Sequence, residues 1–199
     1  MSDSIAIRLE NVHKSFSNGW LKKSRIIRDL GFEIKDNEIF GYLGANGAGK
    51  TTTFKLMLGL IRPDQGQISF WGNPVSDLKT RALVGYLPEH PYFYSYLTAQ
   101  EALEFYASLF DMEKTMKKKR VRELLDLVGL DHARDVQLRK FSRGMLQRIG
   151  IAQAMVNDPK LLILDEPMSG LDPMGRKDMR DIILSCRDQG KSIIFSSHI

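Results

Sequence analysis

The sequence predicts an α/β fold: a strand-bearing core over residues 1–97 and 159–199, interrupted by a mostly helical insert over residues 98–158. Three observations carry that expectation. A glycine-rich turn, "GANGAGKT" at Gly44–Thr51, stands between the strand-like "EIFGYLG" and the helical "KTTTFKLMLGL". Behind Thr98 the spacing of apolar residues lengthens from the two-residue period of a strand to the helical period of about 3.6. "LLIL", Leu161–Leu164, is apolar on both faces, as a parallel strand covered by helices is.

In chain order, "SIAIRLENVHKSF" and "IIRDLGFEI" alternate as short strands, separated by the polar loop "SNGWLKKSR" around Gly19. The helix behind the glycine turn is expected to stop near Arg62-Pro63, because proline cannot continue a helix. "GQISFWG" and "LVGYLP" read as two further strands. In the insert, Thr98 and Glu101 form a capping box, and Leu103, Tyr106 and Phe110 follow at helical spacing. Val121, Leu124, Leu125 and Val128 line one face of a second helix, which Gly129 ends. The run "KKKR" at Lys117–Arg120 reads as a solvated helix face rather than a phosphate or lipid patch. "FSRGMLQRIG" starts a third helix, with Ser142 and Gly144 where an N-terminus offers free backbone amides. After "LLIL", Asp172 and Pro173 supply an N-cap and a first-turn proline, Met179, Ile182, Ile183 and Cys186 share one helix side, and Gly190 closes it. "SIIFSS" is the last strand.

Composition narrows the class of protein. With 43% apolar and 27% charged residues, 199 residues suit one globular domain and exclude a disordered or fibrous chain. The 29 basic and 24 acidic residues leave +5, which points to anionic ligands or a membrane-adjacent surface without specifying nucleic acid. Cys186 alone cannot form an internal disulfide, and its place on an apolar helix side makes it a core residue. No apolar run nears the roughly 20 residues of a membrane span, and no leader-like segment opens the chain, so a cytoplasmic location is expected.

Chemistry concentrates in two places. "GANGAGKT" matches G-x-x-x-x-G-K-[ST] in full: the glycines let successive N–H groups converge on a phosphate, Lys50 reaches the terminal phosphates, and Thr51 offers a hydroxyl to magnesium. A chance glycine turn would not have a strand before it and a helix behind it. "LLILDE" sets Asp165 and Glu166 just past a buried strand, where one carboxylate can hold a metal and its neighbour can orient or deprotonate water. His198, directly after the last strand, could reach a terminal phosphate from a neighbouring strand end.

These segments carry a family resemblance. "GANGAGKT", "FSRGMLQR", "LLILDE", "SGLD" and "SSHI" stand in the order and approximate spacing of the Walker A, signature, Walker B, D-loop and H-loop motifs of the ATP-binding cassette (ABC) family, and the resemblance covers nearly the whole chain. It implies a P-loop NTPase (RecA-like) core with an antiparallel β subdomain and an inserted helical signature subdomain. It implies ATP and Mg2+ as ligands. Nucleotide contacts would fall at Gly44, Asn46, Gly47, Ala48, Gly49, Lys50, Thr51 and Thr52, with Phe16 stacking on adenine; Phe16 equally fits an edge-strand core aromatic. Thr51, Glu89 and Asp165 would serve the metal, and Glu166 and His198 the catalysis. Two such domains, as a homodimer or heterodimer, would pack head to tail. Ser142, Arg143, Gly144 and Asp172 of one copy would then meet the ATP of the other, although Asp172 also suits a plain N-cap.

The chain departs from the family pattern in three ways. Glu89 in "YLPEH" replaces the usual glutamine and adds negative charge near the metal. "FSRGM" lacks the second glycine and the glutamine of the commonest signature. The sequence stops at Ile199, where family members continue, so a fragment with uncovered strand edges is expected. The leading functional expectation is the ATPase subunit of a membrane transporter, peripheral on the inner face of the cell membrane, with a transmembrane permease that is a separate polypeptide or lies in the remainder past Ile199. Glu89 and "SRGM" resemble the drug, polysaccharide and sodium exporter branch, and the aromatic "PYFYSYL" lies where this family receives its transporter's coupling helices. The alternative is a soluble ABC ATPase acting on nucleic acid or a ribosome; such proteins carry two cassettes or a long coiled-coil insertion, and neither is visible, so nucleic acid is not the expected partner. A non-hydrolysing regulator conflicts with the presence of Glu166 and His198.

Overall fold

The computed structural model describes residues 4–18 and 22–198, and among these it has six α-helices and eight strands, the strands divided between two sheets. The first sheet is antiparallel, in the order β2 (Lys22–Lys35), β1 (Ile5–Asn18), β4 (Gln65–Phe70), β5 (Asn73–Pro74). The second is parallel, in the order β3 (Ile39–Leu43), β8 (Ser192–Ser197), β7 (Leu161–Leu164), β6 (Val84–Leu87).

β1 and β2 are longer than their alternation suggests. Their ladder runs from Ile5↔Lys35 to Asn18↔Lys22, so most of the expected polar loop is strand; Gly19 and its neighbours to Leu21 lie outside the described residues, as does Ile199. Register shifts between Leu9 and Val12 and again toward Ser15 break the two-residue period, and Asn11 and Asp29 adopt positive φ there. Among the described residues near that end, Phe16, Ser17 and Arg25 are exposed, so backbone pairing rather than apolar alternation marks them as strand.

The helices are α1 (Lys50–Met57), α2 (Leu78–Arg81), α3 (Ala99–Ala107), α4 (Lys114–Leu127), α5 (Arg143–Ala154) and α6 (Pro173–Asp188). α1 ends before the expected proline. Gly59, at φ 65, takes the left-handed conformation, and the amide of Leu60 reaches back to the Lys55 carbonyl at 2.9 Å. Gly129 and Gly190 end α4 and α6 in the same way, with Leu130 N bonded to Leu125 O and Lys191 N to Cys186 O. The Thr98 capping box forms in both directions, and Asp172 accepts from Gly175 N at 2.8 Å to cap α6.

β7 divides the core. Leu161 and Ile163 face α1 and the antiparallel sheet, among Ile7, Ile34, Phe54 and Phe70, whereas Leu162 and Leu164 face the helical side with Leu103, Leu124, Ile149, Met179 and Ile183. All four β7 residues are buried, as a strand covered on both faces requires. Parallel pairing also brings the C-terminal ends of β3, β8, β7 and β6 to one edge. Ligands in open α/β sheets bind at that edge.

Candidate functional site

The loop from β3 to α1 is a backbone cradle. Gly47 and Gly49 sit at φ 81 and 93, left-handed values that strain any residue with a Cβ. A Cβ on Gly49 would also lie 3.2 Å from Ile26 Cγ2, while one on Gly47 would meet nothing within 4 Å, because that position opens into solvent. The Gly44 amide donates to Ser197 O at 3.1 Å and ties the loop to the end of β8. Gly49 caps α1 without a side chain, leaving the first-turn amides to an anion. Lys50 curls back over the loop, its Nζ 2.6 Å from Gly44 O and 3.3 Å from Ala45 O.

Past β7 the two carboxylates part in role. Asp165 is buried; its amide donates to Leu87 O at 2.8 Å, and its Oδ1 accepts from Ser196 Oγ at 2.7 Å. The same hydroxyl accepts from Glu166 N at 2.8 Å, so Ser196 joins both acids to β8. Glu166 adopts φ 48, a left-handed conformation that costs a non-glycine residue roughly 1–3 kcal/mol and is tolerated where function holds it. That turn points its carboxylate at Lys50, with Oε1 3.2 Å from Nζ, and at His198, with Oε2 2.8 Å from Nδ1. The carboxylate accepts, which assigns the proton of this contact to Nδ1. Behind Asp165, burial and then the Asp165 charge push the Tyr86 phenol up to about 12, so it stays neutral.

These groups surround a cleft of about 660 Å³, lined by Ile26, Asn46, Gly47, Gly49, Lys50, Thr51, Thr52, Glu89, Glu166, Ser169 and His198. Gly44 and Ala48 belong to the cradle's backbone, where Ala48 N bonds Ala45 O at 3.1 Å. Asp165 lies one layer behind the lining, and Phe16 is outside it, partly exposed on β1 with Lys14 Nζ 5.6 Å from its ring centre. Ser142, Arg143, Gly144 and Asp172 also stand outside the cleft. Ser142, Arg143 and Gly144 begin α5, where Ser142 Oγ accepts from Met145 N at 3.2 Å; the segment before Asp172 packs on them, since a Cβ on Gly144 would lie 3.7 Å from Leu171 Cδ2 and one on Gly170 2.5 Å from the Arg143 guanidinium carbon, while Asp172 itself caps α6. Sequence reasoning missed Ser196 and Gln147, whose Nε2 donates to Glu89 O at 2.8 Å. For Ser196 the available signal was a small hydroxyl residue two positions before His198 at a strand end; Gln147 offered none.

Fold and cleft together define a P-loop nucleoside-triphosphate-binding domain. Its sequence matches the description "ABC transporter" over residues 27–169, and the chain belongs to that family. It is 48% identical over 192 residues to an ABC transporter ATP-binding protein of Synechocystis, covering 94% of this chain and 54% of the relative. It is 45% identical over 173 residues to the bacitracin transport ATP-binding protein of Bacillus licheniformis, covering 85% of this chain and 56% of that one. The chain thus spans little more than half the length of these curated relatives. Among solved structures, the Clostridium perfringens CbiO1 subunit of an ABC transporter complex superposes with a TM-score of 0.87 at 29% identity, over 98% of this chain and 79% of that one. The dimeric cassette MJ0796 bound to ADP and Pi shares the fold, with a TM-score of 0.86 at 23% identity over 97% of this chain and 88% of that one.

Proposed function

We propose that this chain binds ATP in the cleft and hydrolyses it as the nucleotide-binding subunit of an ABC exporter. One observation carries the reading: the Glu166 carboxylate is held between Lys50 and His198 at the mouth of the phosphate cradle. Terminal phosphates seated on the loop amides would compete with Glu166 for Lys50. Released from the ammonium, Glu166 can take the proton of an attacking water, while His198 holds the carboxylate in place. Thr51, Glu89 and Asp165 offer a hydroxyl and two carboxylates, the hard oxygen donors that suit Mg2+. When bound, that ion neutralises phosphate charge.

The second half of the site would come from another copy. Ser142, Arg143 and Gly144 form a helix N-terminus outside their own cleft, where a partner's terminal phosphate is a suitable anion, and Asp172 follows Leu171, which packs beside Gly144. ATP then joins two subunits and hydrolysis releases them. Among the described residues no helix is long and apolar enough to cross a membrane; in this reading the domain acts at the inner membrane face with a transmembrane permease, either a separate polypeptide or a further part of the same protein. The bacitracin relative and a linearmycin resistance relative, 34% identical, favour export. The test is size measurement of a Glu166→Gln variant with and without ATP, expected to dimerise only with ATP. A strictly monomeric variant with ATP bound would reject the shared site. Co-purification from detergent extract of a membrane permease, against rRNA or DNA, tests the transport role.

A further inference from the structure

We propose that the cavity between α3 and α4 binds an amphipathic phosphate ester, a phosphate group on an apolar body, as acidic phospholipids are. The cavity, about 510 Å³, is lined by different residues from the nucleotide cleft. Its size suits an organic ligand rather than a single small ion. Val121 and Leu125, each no more than 2% exposed, form an apolar floor, and Lys118, Lys119, Arg122 and Arg134 stand around it. Partners sort these cations. In the basic run, Lys117 Nζ donates to Ser108 Oγ at 2.8 Å, Arg120 Nη2 donates to Met155 O at 2.6 Å, and Lys119 Nζ lies 3.8 Å from Glu123 Oε1. Arg134 is flanked by Asp131 at 3.7 Å and Asp135 at 3.3 Å. Among the described residues, the side chains of Lys118 and Arg122 have no ion pair and no hydrogen bond.

Lys118 and Arg122 stand four residues apart on α4, a spacing at which like charges repel. The acids that line the cavity are otherwise engaged: Asp131 faces Arg134, and Glu104 Oε1 accepts from Gln100 Nε2 at 2.9 Å. An anion set between the two free cations removes their repulsion. Because they are about 6 Å apart along the helix axis, that anion needs oxygens pointing in more than one direction. A phosphate ester has them, whereas a carboxylate presents a single edge. The Arg122 guanidinium can take two phosphate oxygens in parallel, and Lys118 can take another as a point charge. The apolar floor then selects what the phosphate is attached to. A sugar or a free ion would leave Val121 and Leu125 against polar groups or water, while the first carbons of an acyl chain would cover them.

Dihexanoyl phosphatidic acid, which stays soluble, and vesicles of phosphatidylcholine with or without an equal part of phosphatidic acid test the site, with inorganic phosphate as the control. Calorimetry should detect binding of the soluble ester, and its addition should shift the methyl resonances of Val121 and Leu125. Lys118→Gln combined with Arg122→Gln should weaken binding by at least about tenfold, the loss expected for hydrogen bonds between charged groups. The melting temperature should not fall, because neither side chain has a partner to lose. Lys177→Gln combined with Arg180→Gln removes the same charge from α6 and should leave binding unchanged. Vesicle binding that needs phosphatidic acid and is lost in the α4 variant identifies the source as a membrane; binding of the soluble ester alone identifies a free amphiphile, and either supports the site. No binding of the ester, equal loss in the α6 variant, no loss in the α4 variant, or inorganic phosphate bound as tightly as the ester overturns the proposal. The cavity stands apart from the nucleotide cleft, so a chain that binds the ester but not ATP keeps this site and defeats only the nucleotide reading.

Discussion

Lys50 and Glu166 form an ion pair, Nζ to Oε1 3.2 Å, with each residue only 7% exposed. The pair joins the cation of the phosphate loop to the carboxylate of the neighbouring strand end, and His198 holds the second carboxylate oxygen. Breaking a buried pair from one side costs about 3–5 kcal/mol, because the remaining charge keeps its desolvation. Lys50→Met should therefore destabilise the nucleotide-free chain by that order, and adding Glu166→Gln should recover much of the loss. Glu166→Gln alone should lower hydrolysis by about 10²–10⁴-fold, as loss of a general base does, while ATP binding persists. Denaturant melts and phosphate-release rates check both; additive losses in the double variant would show that the two side chains act independently.

Ser196 ties the acids to β8, donating to Asp165 Oδ1 and accepting from Glu166 N. Ser196→Ala leaves both groups short of a partner in a buried layer, at roughly 1–3 kcal/mol for each unsatisfied group. For a domain of this size the melting temperature should fall about 2–4 °C per kcal/mol. Hydrolysis should fall more than ATP affinity, since Glu166 loses its anchor and the glycine loop does not. An unchanged melting temperature would remove Ser196 from this role.

Two glycines separate binding from folding. Gly47 is left-handed with open space where its Cβ would be, so Gly47→Ala should cost about 1–2 kcal/mol of backbone strain and weaken ATP binding. Gly85→Ala would press a Cβ to 2.1 Å from Ala154 O, so it should destabilise the chain more than Gly47→Ala does and leave the cleft's own residues unaltered. Parallel melts and ATP titrations check the contrast. A Gly85→Ala chain as stable as the parent would contradict the close packing of α5 on β6.

Much of the architecture is legible because its residue types have narrow uses. The glycine loop with Lys50 and Thr51, the paired acids after a strand apolar on both faces, and the Thr98 and Asp172 caps all carry local signals. Other relationships span distant segments. Ser196 reaches Asp165 only because β7 and β8 pair with Leu164 beside Phe195, and Gln147 meets Glu89 across 58 residues. The long β1–β2 hairpin is hidden by bulges that interrupt its period. The proposed halves of the site are harder still, since the cleft and the α5 N-terminus lie apart in a single chain and would acquire a common role only between copies.

Cys186 lies in the helical-side core, where burial pushes its thiol up from 9.0 to about 11, with Lys191 and Arg120 opposing more weakly. In the unfolded chain the thiol ionises first. Between about pH 9 and 11 the unfolded state then binds fewer protons than the native state, so this group's contribution to stability declines as pH rises through that window. Replacing Cys186 with Ala should flatten this limb of the stability profile, and the native thiol should react with iodoacetamide far more slowly than the unfolded one. Equal labelling rates in native and denatured chain would place Cys186 outside the core.

Mixing two disabled variants tests the shared pocket most directly. Lys50→Ala removes the phosphate cation, and Gly144→Asp places a carboxylate on the surface offered to the partner. If each pocket draws on two copies, either variant alone is inactive, and a mixture recovers ATP hydrolysis, because each mixed dimer contains one pocket with both halves intact. A mixture that stays inactive with both variants folded, or a Gly144→Asp chain that hydrolyses ATP at the parent rate, would contradict it.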